Sequence, residues 1–300
     1  MKKNKAMIFW FMAPAVIVFV TMFLYPVIRT VMMSFFEVES VTAPMSDWKF
    51  VGLGNYSKLA TTKIFLTSME NVAKIWVIGG IFVIILALTF AVILTSGVRG
   101  KAFWRAIIYL PNIISAVAFA NMWMRYVFNN RFGMLHNFFD ALGLKDLAGV
   151  NYLVGDMKFW SLLIAFAFGS VGYFMLIFLS GIERIPQDYY EAALIDGANK
   201  VKQFFHITLP LLKGVFRTVL TFWTISVSGF FVWSQMWSPT TTEKQTITPV
   251  VYMYDIVFGS KGNTKRAAGA GSAVGIILAL CVLLIFLVIN NTLKDDDLEF

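Results

Sequence analysis

Side chains able to make or break bonds are few in this sequence and poorly placed for it. His136 and His206 lie far apart without metal-ligand spacing, and the one cysteine, Cys281, sits inside an apolar run. Acidic residues are few and scattered, and no Ser-His-Asp arrangement can be drawn. Gly97–Lys101 holds a Gly-Lys pair but lacks the spacing and hydroxyl residue of a phosphate-cradling loop. The expectation is a chain with no catalytic residues, no metal and no cofactor of its own. The residues that invite a role are those of a polar stretch, Glu183 to Pro210, and their chemistry is that of contact. Pro186 sets φ for a helix start, and Asp188 falls in the first turn, where negative charge is favoured. Gln187–Ile195 is rich in helix formers, and Gly197 supplies the backbone freedom that ends a helix. Ala192 and Ala193 leave a smooth face for close approach. Tyr189, Tyr190, Leu194 and Ile195 offer apolar anchors, and Glu191 one charge for orientation. A second short helical stretch is expected to stop before Pro210.

The elements around this stretch are apolar. The chain has 300 residues, 58% hydrophobic and 14% charged, against about 45–50% and 25% in soluble domains. Six apolar runs are near the ~20 residues that cross a bilayer core: 6–33, 72–96, 106–128, 159–181, 215–237 and 271–291. They are continuous, which favours helices over a barrel. The expected fold is all-α and integral to a membrane, with six transmembrane helices. The net charge of +8 comes from Lys and Arg between the runs, which suits lipid headgroups and not nucleic acid. Lys2, Lys3 and Lys5 precede a first run that passes Tyr25 without a small-residue cleavage site, so it is read as an uncleaved span. Pro14 and Pro26 are tolerated there and can kink it. An even number of spans puts both termini on one side. Lys2 to Lys5, with Arg99, Lys101 and Arg105 in the short second loop, assign that side to the cytoplasm. Trp104, Trp123, Trp160 and Trp237 fall near span ends, as interfacial tryptophans do.

Polar atoms within spans face other helices or water. In the fifth run, Trp223, Ser226, Phe230, Trp233 and Trp237 recur at spacings of three or four, which would give one helix an aromatic and polar face. Sugars present C–H faces to such rings and hydroxyls to such polar atoms; packing among helices is the competing explanation. The fourth run adds Gly169, Ser170 and Tyr173, with Gly172 nearby. Gly271 and Gly275 form a Gly-x-x-x-Gly pair, suited equally to a second subunit or to packing within this one.

Glu191-Ala192-Ala193, then Gly197, then Ile207, Leu209 and Pro210 resemble the signature loop of ABC importer permeases. Asp196-Gly197-Ala198, with Ile185-Pro186 upstream, resembles the carbohydrate branch, the maltose and multiple-sugar type. Tyr25-Pro26 with Ser34-Phe35, Phe50 to Tyr56, and Phe103-Trp104-Arg105 with Leu110-Pro111 opening the third span agree. Gly133 and Gly143-Leu144 fit the loop beyond. Many relatives carry Gly-Gly-Pro after the fifth span, where this chain has Trp237-Ser238-Pro239. The resemblance implies a type I ABC importer permease fold. Residues 1–71 would hold the first span and an outer loop, 72–291 the core permease domain, and 292–300 a cytoplasmic tail. It implies a cytoplasmic coupling helix with Tyr190, Glu191, Ala192, Ala193, Asp196 and Gly197 against a partner ATPase. The implied partners are a second homologous permease, two ABC ATPases carrying ATP-Mg and an extracellular solute-binding protein, all at the bacterial plasma membrane. It further implies that positions about as far before the signature loop as Tyr173 line a sugar site. Together with the spacing and residue types above, this gives an expected substrate path past Gly169, Ser170, Tyr173, Trp223, Ser226 and Phe230. A non-sugar solute such as a phosphorylated polyol fits the same machine. Against an ion-coupled secondary transporter stand the absence of Asp and Glu from mid-span positions and of a clear repeat between the halves.

Overall fold

A computed structural model describes residues 5–239, 243–259 and 265–293. Lys2, Lys3 and the tail beyond Leu293 lie outside the described residues. The chain divides into two compact units, one of residues 1–66 with 252–280 and one of residues 67–251 with 281–300.

In the first unit, helix Lys5–Phe19 carries Pro14, loosens into a π-turn at Val20–Leu24 and resumes as Tyr25–Met33. Pro26 lacks an N–H and its ring crowds the preceding turn, and the wider turn accommodates both defects. A two-stranded antiparallel pair follows, Phe36–Glu37 with Lys49–Phe50, a small departure from the all-α expectation. Asn55 explains part of the Phe50–Tyr56 stretch: its Nδ2 donates to the Ser34 and Phe36 carbonyls at 2.9 Å each, while Tyr56 Oη bonds Ser34 Oγ at 2.7 Å. Helix Ala268–Thr292 docks here through small residues. A Cβ on Gly269 would collide with the Phe36 carbonyl, and one on Gly271 with Val257. Gly275 faces Met253. The Gly-x-x-x-Gly pair is thus engaged by helix Pro249–Phe258 of this same chain.

The second unit is built around helix Met157–Ile182. Its middle is buried nearly all round, as befits a helix apolar on every face. Helices Gly80–Thr95, Lys101–Ile113 and Lys213–Ser228 pack against it. Gly172 lets the Ile108 backbone touch it, and Gly181 admits Leu212 and Val215.

Four of the six expected spans are unbroken and long and apolar enough to cross a membrane: 9–33, 63–95, 157–182 and 268–292. The second begins nine residues earlier than the sequence suggested. The third is a pair, Lys101–Ile113 and Ala116–Val127, bent by 97°. Pro111 does not open it but lies inside the first half, just before the bend at Ile114–Ser115. The fifth is also two helices, Lys213–Ser228 and Val232–Trp237, interrupted at Gly229–Phe231. Six uninterrupted helices are therefore not what the described residues contain.

Candidate functional site

Helix Gln187–Ile195 has the bounds its sequence suggested. Pro186 precedes it with φ −57° and ψ 140°, an extended residue that ends the previous turn and starts the next. Its far end is fully capped. Gly197 adopts φ +75°, its N–H bonds the Leu194 carbonyl at 3.0 Å, and the Ala198 N–H bonds the Ala193 carbonyl at 2.8 Å. These two bonds are the Schellman pair, which needs a left-handed residue at its centre. Asn199 then caps the next turn, its Oδ1 accepting from the Lys202 N–H at 2.9 Å.

No residue of Gln187–Ile195 is buried. Asp188, Glu191, Ala192 and Ile195 share one exposed stripe, with Leu194 beside it, and Ile195 is 87% exposed. Glu191 has no ion-pair partner among the described residues. Tyr190 points the other way: its hydroxyl meets Thr208 Oγ1 at 3.0 Å, and Thr208 is buried. Of the six residues expected to meet a partner, Tyr190 moors the helix to its own chain. Asp196 and Gly197 form its end, and Glu191 and Ala192 lie on the open face, with Ala193 half-buried.

The stretch that follows departs from expectation. It runs as Lys200–Gln203, a π-turn at Phe204–Thr208 and Leu209–Leu211, so helical structure passes through Pro210 and breaks at Leu212. The π-turn absorbs the proline in the same way as the one ahead of Pro26. Upstream, Glu183 closes helix Met157–Ile182, and Lys101 Nζ donates to its Oε1 at 2.5 Å. Arg105 Nη2 stands 3.8 Å from Oε2. The Lys101 hydrogen bond, joined by the charges of Lys101 and Arg105, holds the Glu183 carboxyl below the ordinary carboxylate range against a smaller opposing effect of burial. The sequence reading passed over this trio, although the basic residues of the 97–105 loop and Glu183 were both in view.

The residues expected along a solute path are dispersed. Trp223 and Phe230 are buried to 1% and 2% exposure, and both pack on Phe166. Gly169 lies against Phe119, and Ser170 Oγ donates to the Phe166 carbonyl at 2.8 Å within its own helix. Only Ser226 and Tyr173 are exposed. Despite the break at Gly229–Phe231, Trp223, Phe230 and Trp233 all pack on Phe166, and Trp233 packs on Trp237. The aromatic members of the expected face thus stay together, while Ser226 stands apart on an exposed side. Trp237 is also buried, donating to Ser161 Oγ at 2.9 Å, and is not interfacial.

Residues 79–293 match the family model described as "Binding-protein-dependent transport system inner membrane component". The chain belongs to this family. It is 31% identical to the arabinooligosaccharides transport system permease protein AraP of Bacillus subtilis strain 168, over 95% of this chain and 88% of that one. It is 28% identical to the diacetylchitobiose uptake system permease protein NgcF of Streptomyces coelicolor, over 81% and 71%. Its fold superposes with a TM-score of 0.81 on a chain of a bacterial ABC transporter involved in import of the acidic polysaccharide alginate, at 20% identity and covering 98% and 97% of the two chains. The resemblance to carbohydrate-type permeases, drawn from the Glu191–Gly197 loop, is borne out by these relatives.

Proposed function

We propose that this chain is the membrane-spanning permease subunit of an ATP-driven importer for a sugar or oligosaccharide, and that partner ATPases dock on helix Gln187–Ile195. The observation that carries the reading is the contrast within that helix. It is wholly exposed on one side, yet fixed at both ends by Pro186 and the Gly197 cap and moored by Tyr190. A rigid, uncovered helix is suited to transmit a push from a partner, whereas a flexible loop would absorb it.

Two ATPases closing around ATP would carry this helix with them, and alternating access would follow from movement of the spans attached to it. A second permease subunit completes the pathway, and an extracellular binding protein delivers the solute; dependence on a binding protein is what the family's description supports. Both termini and Gln187–Ile195 then face the cytoplasm, where Arg99, Lys101 and Arg105 favour anionic headgroups. The oligosaccharide assignment leans on what the relatives are named for. Tyr173 and Ser226, the two exposed members of the suspected path, are its best points of contact with solute, while Trp223 and Phe230 support it from within.

The test is ligand-stimulated ATP hydrolysis and solute uptake in complexes reconstituted with both ATPases and the binding protein. Glu191→Ala and Gly197→Val are expected to uncouple the two without unfolding the chain. Unchanged coupling in both variants would remove the docking reading.

A further inference from the structure

Glu183 occupies a position that the docking of a partner alone does not explain. It is the residue on which helix Met157–Ile182 ends, and three residues later Pro186 begins the turn into the exposed helix. Between them Ile185 is buried at 7% exposure, so the connection is anchored and short. The carboxylate is held at both oxygens from one turn of another helix, by Lys101 at 2.5 Å and Arg105 at 3.8 Å. Lys101 and Arg105 are four residues apart and therefore on one face. Further along the same two helices, backbone meets backbone where Gly172 faces Ile108. The helix that starts at Lys101 is thus fixed to the base of the exposed helix at one end and pressed against Met157–Ile182 beyond it. Past Ile113 it turns by 97°.

We propose that Glu183, gripped by Lys101 and Arg105, is a positioning residue for transport. It makes the Gln187–Ile195 helix and the first half of the bent span, Lys101–Ile113, move as one body. The proposal rests on the reading of Gln187–Ile195 as the docking helix. All three side chains are about two-fifths exposed, and ion pairs of that exposure add little to stability. Their contribution is geometric: the Lys101 hydrogen bond sets the distance between the two helices, and the Arg105 charge near the other oxygen favours the same arrangement. Removing the grip should therefore spare the fold while letting the docking helix move without the bent span.

The experiment uses the full reconstituted complex and reads solute imported per ATP hydrolysed. Glu183→Gln is expected to assemble and to hydrolyse ATP in response to ligand, with import per ATP down about fivefold, the low end of what a coupling free energy between two elements gives. In a second arm, Lys101→Cys with Glu183→Cys, in a Cys281→Ser background, is bridged by a short bifunctional thiol reagent. Bridged complexes are expected to keep the wild-type ratio, because the pair need not part. An unchanged ratio in Glu183→Gln overturns the proposal, and so does a bridge that stops import. Should Glu183→Gln fail to assemble, the bridged pair decides alone. If Glu191→Ala and Gly197→Val leave coupling unchanged, the docking reading itself falls and the grip with it. If those two variants uncouple while Glu183→Gln keeps the wild-type ratio, only the grip falls.

Discussion

Trp223 donates its indole N–H to the Trp76 carbonyl at 2.9 Å, and Trp76 returns the contact by donating its own indole N–H to Thr224 Oγ1 at 2.9 Å. Two neighbouring residues of one helix are thus locked to one residue of another. The lock is possible because the π-turn at Ile75–Gly79 and the bare backbone of Gly79 and Gly80 leave space for the ring. A Cβ on Gly80 would stand 2.7 Å from Trp223 Nε1. Gly80→Ala is therefore expected to displace the ring and cost about 1–3 kcal/mol, the usual penalty for overpacking. Trp223→Ala should cost about 3–5 kcal/mol. Thermal unfolding in detergent, followed by loss of monodisperse protein, checks both. Wild-type stability in Gly80→Ala would contradict the tight seat described for Trp223.

A different outcome is expected at Tyr173, on the neighbouring helix Met157–Ile182. Its ring is 37% exposed, edge-on to Phe174 and Phe222. Tyr173→Ala should lower uptake while leaving assembly and melting temperature near wild type, whereas Trp223→Ala should lower stability first. Normal uptake kinetics in Tyr173→Ala would take that residue off the solute path.

These two side chains also mark what the sequence could and could not reveal. Helix Gln187–Ile195 was legible to the residue because both its signals are local: Pro186 dictates where it starts and Gly197 where it ends. The fifth apolar run was misread because Gly229 carries no such unambiguous signal. Composition alone continued the helix across it. The spacing of Trp223, Phe230, Trp233 and Trp237 could not say that these rings pack together about Phe166 inside the protein instead of lining an open path. Likewise Pro111 was visible, but whether a proline opens a helix or bends it depends on the neighbour that receives the freed backbone. Gly271 and Gly275 announced a close approach without saying to what, and only the position of Val257 answers that.

The cap at Gly197 makes a graded prediction. Nothing lies within 4 Å of where its Cβ would be, so a side chain meets no neighbour and pays only for the left-handed backbone. That cost is roughly 1–2 kcal/mol for an ordinary L-residue and less for Asn. Gly197→Asn should therefore couple hydrolysis to uptake better than Gly197→Ala, and both better than Gly197→Val. Coupling that falls with side-chain size but ignores left-handed preference would point to a partner pressed on this position instead.

Buried polar bonding at the other end of the second unit gives another test. Asn71 Nδ2 donates to the Lys244 carbonyl at 2.8 Å and the Ile247 carbonyl at 2.9 Å. Thr248 Oγ1 donates at 2.6 Å to the Phe230 carbonyl, at the break in the fifth run. Asn71→Leu would strand two acceptors, at about 1–3 kcal/mol for a buried group left unpaired. Protease cleavage near Lys244 should rise in that variant. Equal resistance in the two proteins would show that Asn71 does not hold the segment.

Glu183 supplies the pH dependence. Its folded pKa lies below the ordinary value, chiefly through the Lys101 hydrogen bond. A carboxyl lowered on folding contributes stability that is fully present above its unfolded pKa and is lost as pH falls through the folded one. The melting-temperature difference between wild type and Glu183→Gln should accordingly be small but constant from neutral pH down to the ordinary carboxylate range. It should vanish only in more acidic solution. Because the side chain is about two-fifths exposed, salt should shrink the same difference. Lys101→Met should shrink the difference to the smaller share that Arg105 supplies, since the main cause of the lowered pKa goes with Lys101. A difference that stays at its full size in the Lys101→Met background would show that the Lys101 hydrogen bond is not its main source.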